Sequence, residues 1–71
     1  MQTARAAKLA WECLDRYGLG DLWGFRFGNS RTMFGRCDHG KRQITLIRPL
    51  TELNHESVVL DTILHEVAHA L

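Results

Sequence analysis

From Thr3 to Tyr17, apolar residues recur at Ala7, Ala10, Trp11, Leu14 and Tyr17, the three-and-four spacing of one helical face. Gly18 follows where a left-handed C-terminal cap would sit, so the spacing predicts a helix that ends there. Trp23, Phe25 and Phe27 then alternate with Gly24, Arg26 and Gly28, the period-two pattern of a strand with one aromatic face buried. A turn at Gly28-Asn29-Ser30 leads to a second strand near Thr32 to Cys37. Asp38-His39-Gly40-Lys41 has the chemistry of a hairpin turn with the glycine at positive φ, and Gln43 to Ile47 is a β-branched third strand ended by Pro49. Three sequential strands on short loops predict an antiparallel meander. Gly35, inside the second strand, marks either a bulge or a point where the strand edge passes close to a cleft.

A second amphipathic pattern closes the sequence. After the polar stretch Thr51 to His55, with Asn54 as N-cap and Glu56 in the first turn, apolar residues run Val59, Leu60, Ile63, Leu64, Val67, Ala68 and Leu71. That predicts a helix lying against the sheet, and an α+β class overall. Residues four apart share a helical face, so His65 and His69 project side by side with Glu66 beside them. Two neutral imidazoles suit a zinc ion, and a glutamate that is not itself a ligand can take a proton from the attacking water and pass it to the leaving amine. A chance H-E-x-x-H in so short a chain is expected on the order of once in several hundred sequences. Such a hit would rarely fall midway along an amphipathic helix.

Length and composition change this picture little. The 71 residues, 45% hydrophobic and 24% charged with net charge +1, allow one domain at most, near the lower limit of independent stability. No apolar run approaches membrane-spanning length and the N-terminus lacks a signal-peptide core, so a cytoplasmic location is expected, or a nucleoid or nuclear one if the protein associates with DNA. Cys13 and Cys37 form no C-x-x-C pair and read as reduced, small buried hydrophobes. Trp11 and Trp23 read as core residues rather than stacking platforms.

Charge is uneven along the chain. Between 26 and 48, Arg26, Arg31, Arg36, Lys41, Arg42 and Arg48 face Asp38 alone, whereas 49–71 carries Glu52, Glu56, Asp61 and Glu66 without a base. The basic block is either a nucleic-acid footprint or a solvated sheet face.

The stretch from Val58 to Leu71, with Asp61-Thr62-Ile63-Leu64 leading into His65-Glu66-Val67-Ala68-His69, closely resembles the active-site helix of the SprT-like metallopeptidases of the Spartan/SprT type. Trp23 to Phe27, Met33 to Cys37, Ile44 to Leu46 and Leu53 are similar to that family's three-strand lead-in, so the resemblance runs from about Leu9. It implies a zincin-like fold, here truncated, as a single partial domain over 1–71. It further implies zinc on His65 and His69, and Glu66 as general acid/base in the hydrolysis of protein substrates, some of them DNA-associated. Members of the family continue to a third zinc-binding histidine, whereas here the sequence stops two residues after His69. With three protein ligands normal at a catalytic zinc, the site is expected to be incomplete and these residues alone inactive.

His39 in the hairpin turn is left open as an upstream third ligand. His55, about 15 Å along the helix from His65 at 1.5 Å per residue, is excluded. Asp61, one turn before His65, is either an acceptor for its imidazole or a solvated helix residue. Self-association that hides an apolar rim at Val67, Ala70 and Leu71 is a further expectation. Two competing readings are a non-catalytic DNA-associated module using 26–48 and a cytosolic zincin that cleaves a repressor.

Overall fold

A computed structural model describes residues 1–30 and 32–71. Its elements run α1 (Thr3–Arg16), β1 (Gly24–Gly28), β2 (Gly35–Asp38), β3 (Gln43–Ile47), α2 (Arg48–Leu53) and α3 (Glu56–Ala70). The class is α+β, with α1 and α3 packed on one face of the three-stranded sheet.

The α1 terminus follows from its glycine. Gly18 takes φ +76°, and the Leu19 and Gly18 amides donate to the carbonyls of Leu14 (2.8 Å) and Asp15 (3.1 Å). This is the paired-bond termination that a left-handed residue permits. The buried stripe, however, is Ala6, Ala10 and Leu14, rotated from the expected one, and Trp11 and Tyr17 are 42% and 44% exposed. Small residues at four-residue spacing let α1 lie close to the rest of the core, and the bulky aromatics are left on its outer flank. Trp23 alone of the two tryptophans is buried.

The sheet is mixed rather than an antiparallel meander. Its order is β1-β3-β2, with β3 parallel to β1 and antiparallel to β2. Apolar content explains the arrangement. β3 buries Ile44, Leu46 and Ile47 and takes the centre, while the glycine- and arginine-bearing β1 and β2 take the edges. The segment between β1 and β2, residues 29–34, is long enough to carry the chain past the place that β3 fills. In the β2–β3 turn the Asp38 carboxylate accepts from the Lys41 amide at 3.1 Å, and the positive φ falls on Arg42 (51°), not on Gly40. The loop is longer than a two-residue hairpin and ends on a left-handed residue.

The sequence predicts only a polar stretch from Thr51 to His55, with Pro49 ending the third strand. Pro49 instead opens a short helix, where its missing N–H is no loss, and the buried Thr51 hydroxyl donates to the Ile47 carbonyl at 2.8 Å. Asn54 closes α2, donating from Nδ2 to the Leu50 carbonyl at 2.6 Å, so His55 rather than Asn54 stands at the N-cap of α3. Glu56 occupies the first turn of α3 as expected, and its carboxylate meets the Arg5 guanidinium at 2.6 Å. That pair joins the N-terminal ends of α1 and α3.

α3 buries Val59, Ile63 and Val67 against α1 and the sheet. Leu64 and Ala68 lie on its exposed side with Leu71 just beyond its end, and Leu60 is half-buried. Of the expected rim, Leu71 is exposed but Val67 is buried. No helix among the described residues is long and apolar enough to cross a membrane.

Candidate metal and catalytic site

The exposed histidines of α3 converge. Nε2 of His65 and Nε2 of His69 stand 3.1 Å apart, with ring centroids 4.6 Å apart and planes nearly perpendicular. Two nitrogens at about 2.0–2.1 Å from a tetrahedral zinc are about 3.3 Å from one another, so this pair fits two corners of such a site. Imidazoles are also the donor type that zinc accepts. Among the described residues, no group of three or more His, Cys, Asp or Glu side chains converges to hold a metal ion. The fit is thus of two donors.

The remaining histidines lie elsewhere. His39 packs its ring edge-on against Trp23 at 5.5 Å and sets Nε2 3.8 Å from the Cys37 sulfur, and His55 caps the far end of α3. Asp61 is exposed one turn before His65, whose ring contact is to His69.

Glu66 differs from its neighbours in being buried, with only 8% of its surface exposed. α3 packs here against β2, and the closest approach is at Gly35. A Cβ on that residue would stand 3.0 Å from Thr62 Cγ2, 3.2 Å from Glu66 Oε2 and 3.3 Å from Glu66 Cγ. Of the two origins considered for Gly35, close approach is thus the one observed, since its register with Leu46 continues without interruption to Asp38 opposite Gln43. Thr62 is the residue that sequence reasoning passed over. Its hydroxyl donates to the Val58 carbonyl at 3.0 Å, which fixes its methyl toward the strand. The only signal for it was its place in the Asp-Thr-x-Leu lead.

Two positions further along β2 lies Cys37, on the same side of the strand. Burial pushes its thiol up from the usual range, and the charges of Glu66 and then Asp38 push the same way. Burial likewise raises Cys13. Both cysteines are free, as the sequence implied, but half-buried rather than buried.

The opposite face of the sheet has another character. Arg26 and Arg36 flank Thr45 in register, and with Lys41 and Gln43 they line a cleft of about 210 Å³. Asp38 is the acid in it, 3.6 Å from Arg36. Its carboxyl is held below the usual range, first by the Lys41 amide and then by the Arg36 charge. The basic block is therefore divided. Arg48 lies over the Phe27 ring at 5.0 Å, and Arg31 falls outside the described residues. A second cavity, of about 400 Å³, is lined by Asn29, Ser30, Pro49 and Leu50. Neither cavity is lined by His65, Glu66 or His69.

Compared with known proteins, residues 10–71 match the model of the SprT-like family. No curated protein and no solved structure matches the chain.

Proposed function

Since this chain belongs to the SprT-like family, we propose that the convergent imidazoles of His65 and His69 hold zinc and that Glu66 moves the proton in zinc-dependent peptide-bond hydrolysis. The observation that carries this reading is the 3.1 Å approach of the two Nε2 atoms, with a buried carboxylate on the next residue of the same helix. Zinc at such a point supplies Lewis acidity and makes a water nucleophilic near neutral pH. The chain's own residues do the rest. α3, fixed by Val59, Ile63 and Val67, carries both rings on its exposed side one turn apart. The Glu66 carboxylate accepts the proton of the attacking water and returns it to the departing amine nitrogen. β2 is an edge strand whose free side has no strand partner among the described residues, and an extended peptide can pair there beside Glu66. A catalytic zinc of this kind takes three protein donors, so a third is required beside these two.

The deciding experiment compares the wild-type full-length protein with Glu66→Gln. Zinc content should be equal in the two, while hydrolysis of an unfolded protein substrate such as casein should fall about 10²- to 10⁴-fold. A Glu66→Gln protein that cleaves as fast as wild type would end this reading.

The sheet's outer face supports a second reading, of partner rather than chemistry. Arg26, Arg36 and Lys41 gather at one cleft, and this favours contact with a nucleic-acid backbone over a merely solvated face. Replacing Arg26 and Arg36 together by glutamine should weaken DNA binding and flatten its dependence on salt. Unchanged affinity and salt slope would leave the face a solvated one.

A further inference from the structure

Gly35 is not required by its backbone. Its φ is not positive, as Gly18 is the glycine with that conformation, and its strand pairs with β3 residue for residue with no bulge. Glycine weakens a strand unless another group must approach closely. Here two groups do. The lost Cβ would meet Thr62 Cγ2 at 3.0 Å and Glu66 Cγ at 3.3 Å, where carbon atoms ordinarily rest at about 3.5–4.0 Å, and would stand 3.2 Å from Glu66 Oε2.

We infer that Gly35 is a positioning residue for Glu66: the missing side chain on β2 is the space in which the Glu66 carboxylate is held between strand and helix. This rests on the reading of Glu66 as the proton carrier. The two neighbours of that space are unequal in freedom. The Thr62 methyl cannot turn away unless its hydroxyl abandons the Val58 carbonyl, and the α3 backbone beneath is fixed by Val59 and Ile63. The Glu66 side chain has no such anchor and is the part that gives way. A methyl group at residue 35 therefore displaces the carboxylate, whereas His65 and His69, on the exposed side of α3, stay where they are. The contacts call for a shift of a few tenths of an ångström; since about 1 Å at a reacting group can cost on the order of 10²-fold in rate, a loss of about tenfold is expected. Proton transfer is affected and metal binding is not.

Gly35→Ala alone risks a poorly folded protein because of Thr62. Thr62→Ser removes Cγ2 and keeps the hydroxyl, so the double variant Gly35→Ala/Thr62→Ser relieves the helix contact and retains only the two contacts with Glu66. In the full-length protein this double variant should melt near the wild-type temperature and hold wild-type zinc. Its kcat should fall by about tenfold or more with KM within about twofold, while Thr62→Ser alone keeps wild-type kcat. A crystal structure of the double variant should show the Glu66 carboxylate moved off the strand. Wild-type kcat in the double variant, or a Glu66 side chain in its original place, would overturn the inference. So would a kcat loss accompanied by zinc loss, which makes Gly35 a structural glycine only. The two readings fail separately: full activity of Glu66→Gln removes the proton-transfer role, whereas a Glu66 side chain left in its original place in the double variant removes the role of Gly35 even where Glu66→Gln is inactive.

Discussion

The two sides of α3 do different work. One presents Val59, Ile63 and Val67, each at most 2% exposed, to α1 and the sheet. The other presents His65 and His69 to solvent with their nitrogens in register. Burying a side chain such as valine or isoleucine is worth roughly 1.5–3 kcal/mol, so the first side holds the helix in place. The second contributes little to that and is free to carry chemistry. Glu66 breaks the division, being a carboxylate on the buried side, and it fits there because β2 has no side chain at Gly35. Stability and the proposed chemistry are thus separable along α3 except at Glu66.

That separation is open to attack, most severely at the histidines. His65→Ala or His69→Ala in the full-length protein should abolish stoichiometric zinc and lower peptide hydrolysis by about 10³-fold or more. With the metal chelated, the unfolding free energy of either variant should lie within about 0.5 kcal/mol of wild type, as at other exposed positions. Zinc retained at one equivalent by both variants would show that the imidazoles are not the donors. The reverse case is Ile63→Ala, on the buried side. It should cost about 2–5 kcal/mol in denaturant unfolding by opening a cavity, while the surviving folded fraction keeps its zinc. Comparable stability losses on both sides of the helix would dissolve the distinction.

How far the sequence alone reached follows the same line. Features with a local cause were legible: the stop at Gly18, the alternation through Phe25 and Phe27, the pairing of His65 with His69 at one helical turn. Features decided by competition between distant segments were not. Nothing near β1 announces that β3 will lie beside it, since that follows from β3 having the most apolar residues to bury. Pro49 and Asn54 each have two local meanings, strand-ending or helix-opening for the one and N-capping or helix-closing for the other, and nothing within α2 itself decides between them. Trp11 fits the spacing of the expected face, but a slightly rotated face fits it too, and only the packed core shows Ala6, Ala10 and Leu14 as the buried stripe. The role of Thr62 required the distance to Gly35, which no sequence spacing contains.

The smallest effect concerns the place where the two sides of α3 meet. Cys37 faces that junction, and its thiol is raised by burial first and by the Glu66 charge second. A thiol raised in the folded state contributes stability that is present below the ordinary thiol value of 9.0 and is lost as pH climbs through the folded value. The protein should therefore lose stability progressively above about pH 9, and Cys13, raised by burial as well, adds to the same slope. Glu66→Gln removes one of the two main causes at Cys37 and none of the named causes at Cys13. Iodoacetamide labelling followed peptide by peptide across pH 7–10 should then show Cys37 reacting at lower pH in Glu66→Gln than in wild type, with Cys13 unmoved. If the two Cys37 curves coincide, Glu66 does not reach the thiol through space, and its carboxylate does not lie against β2.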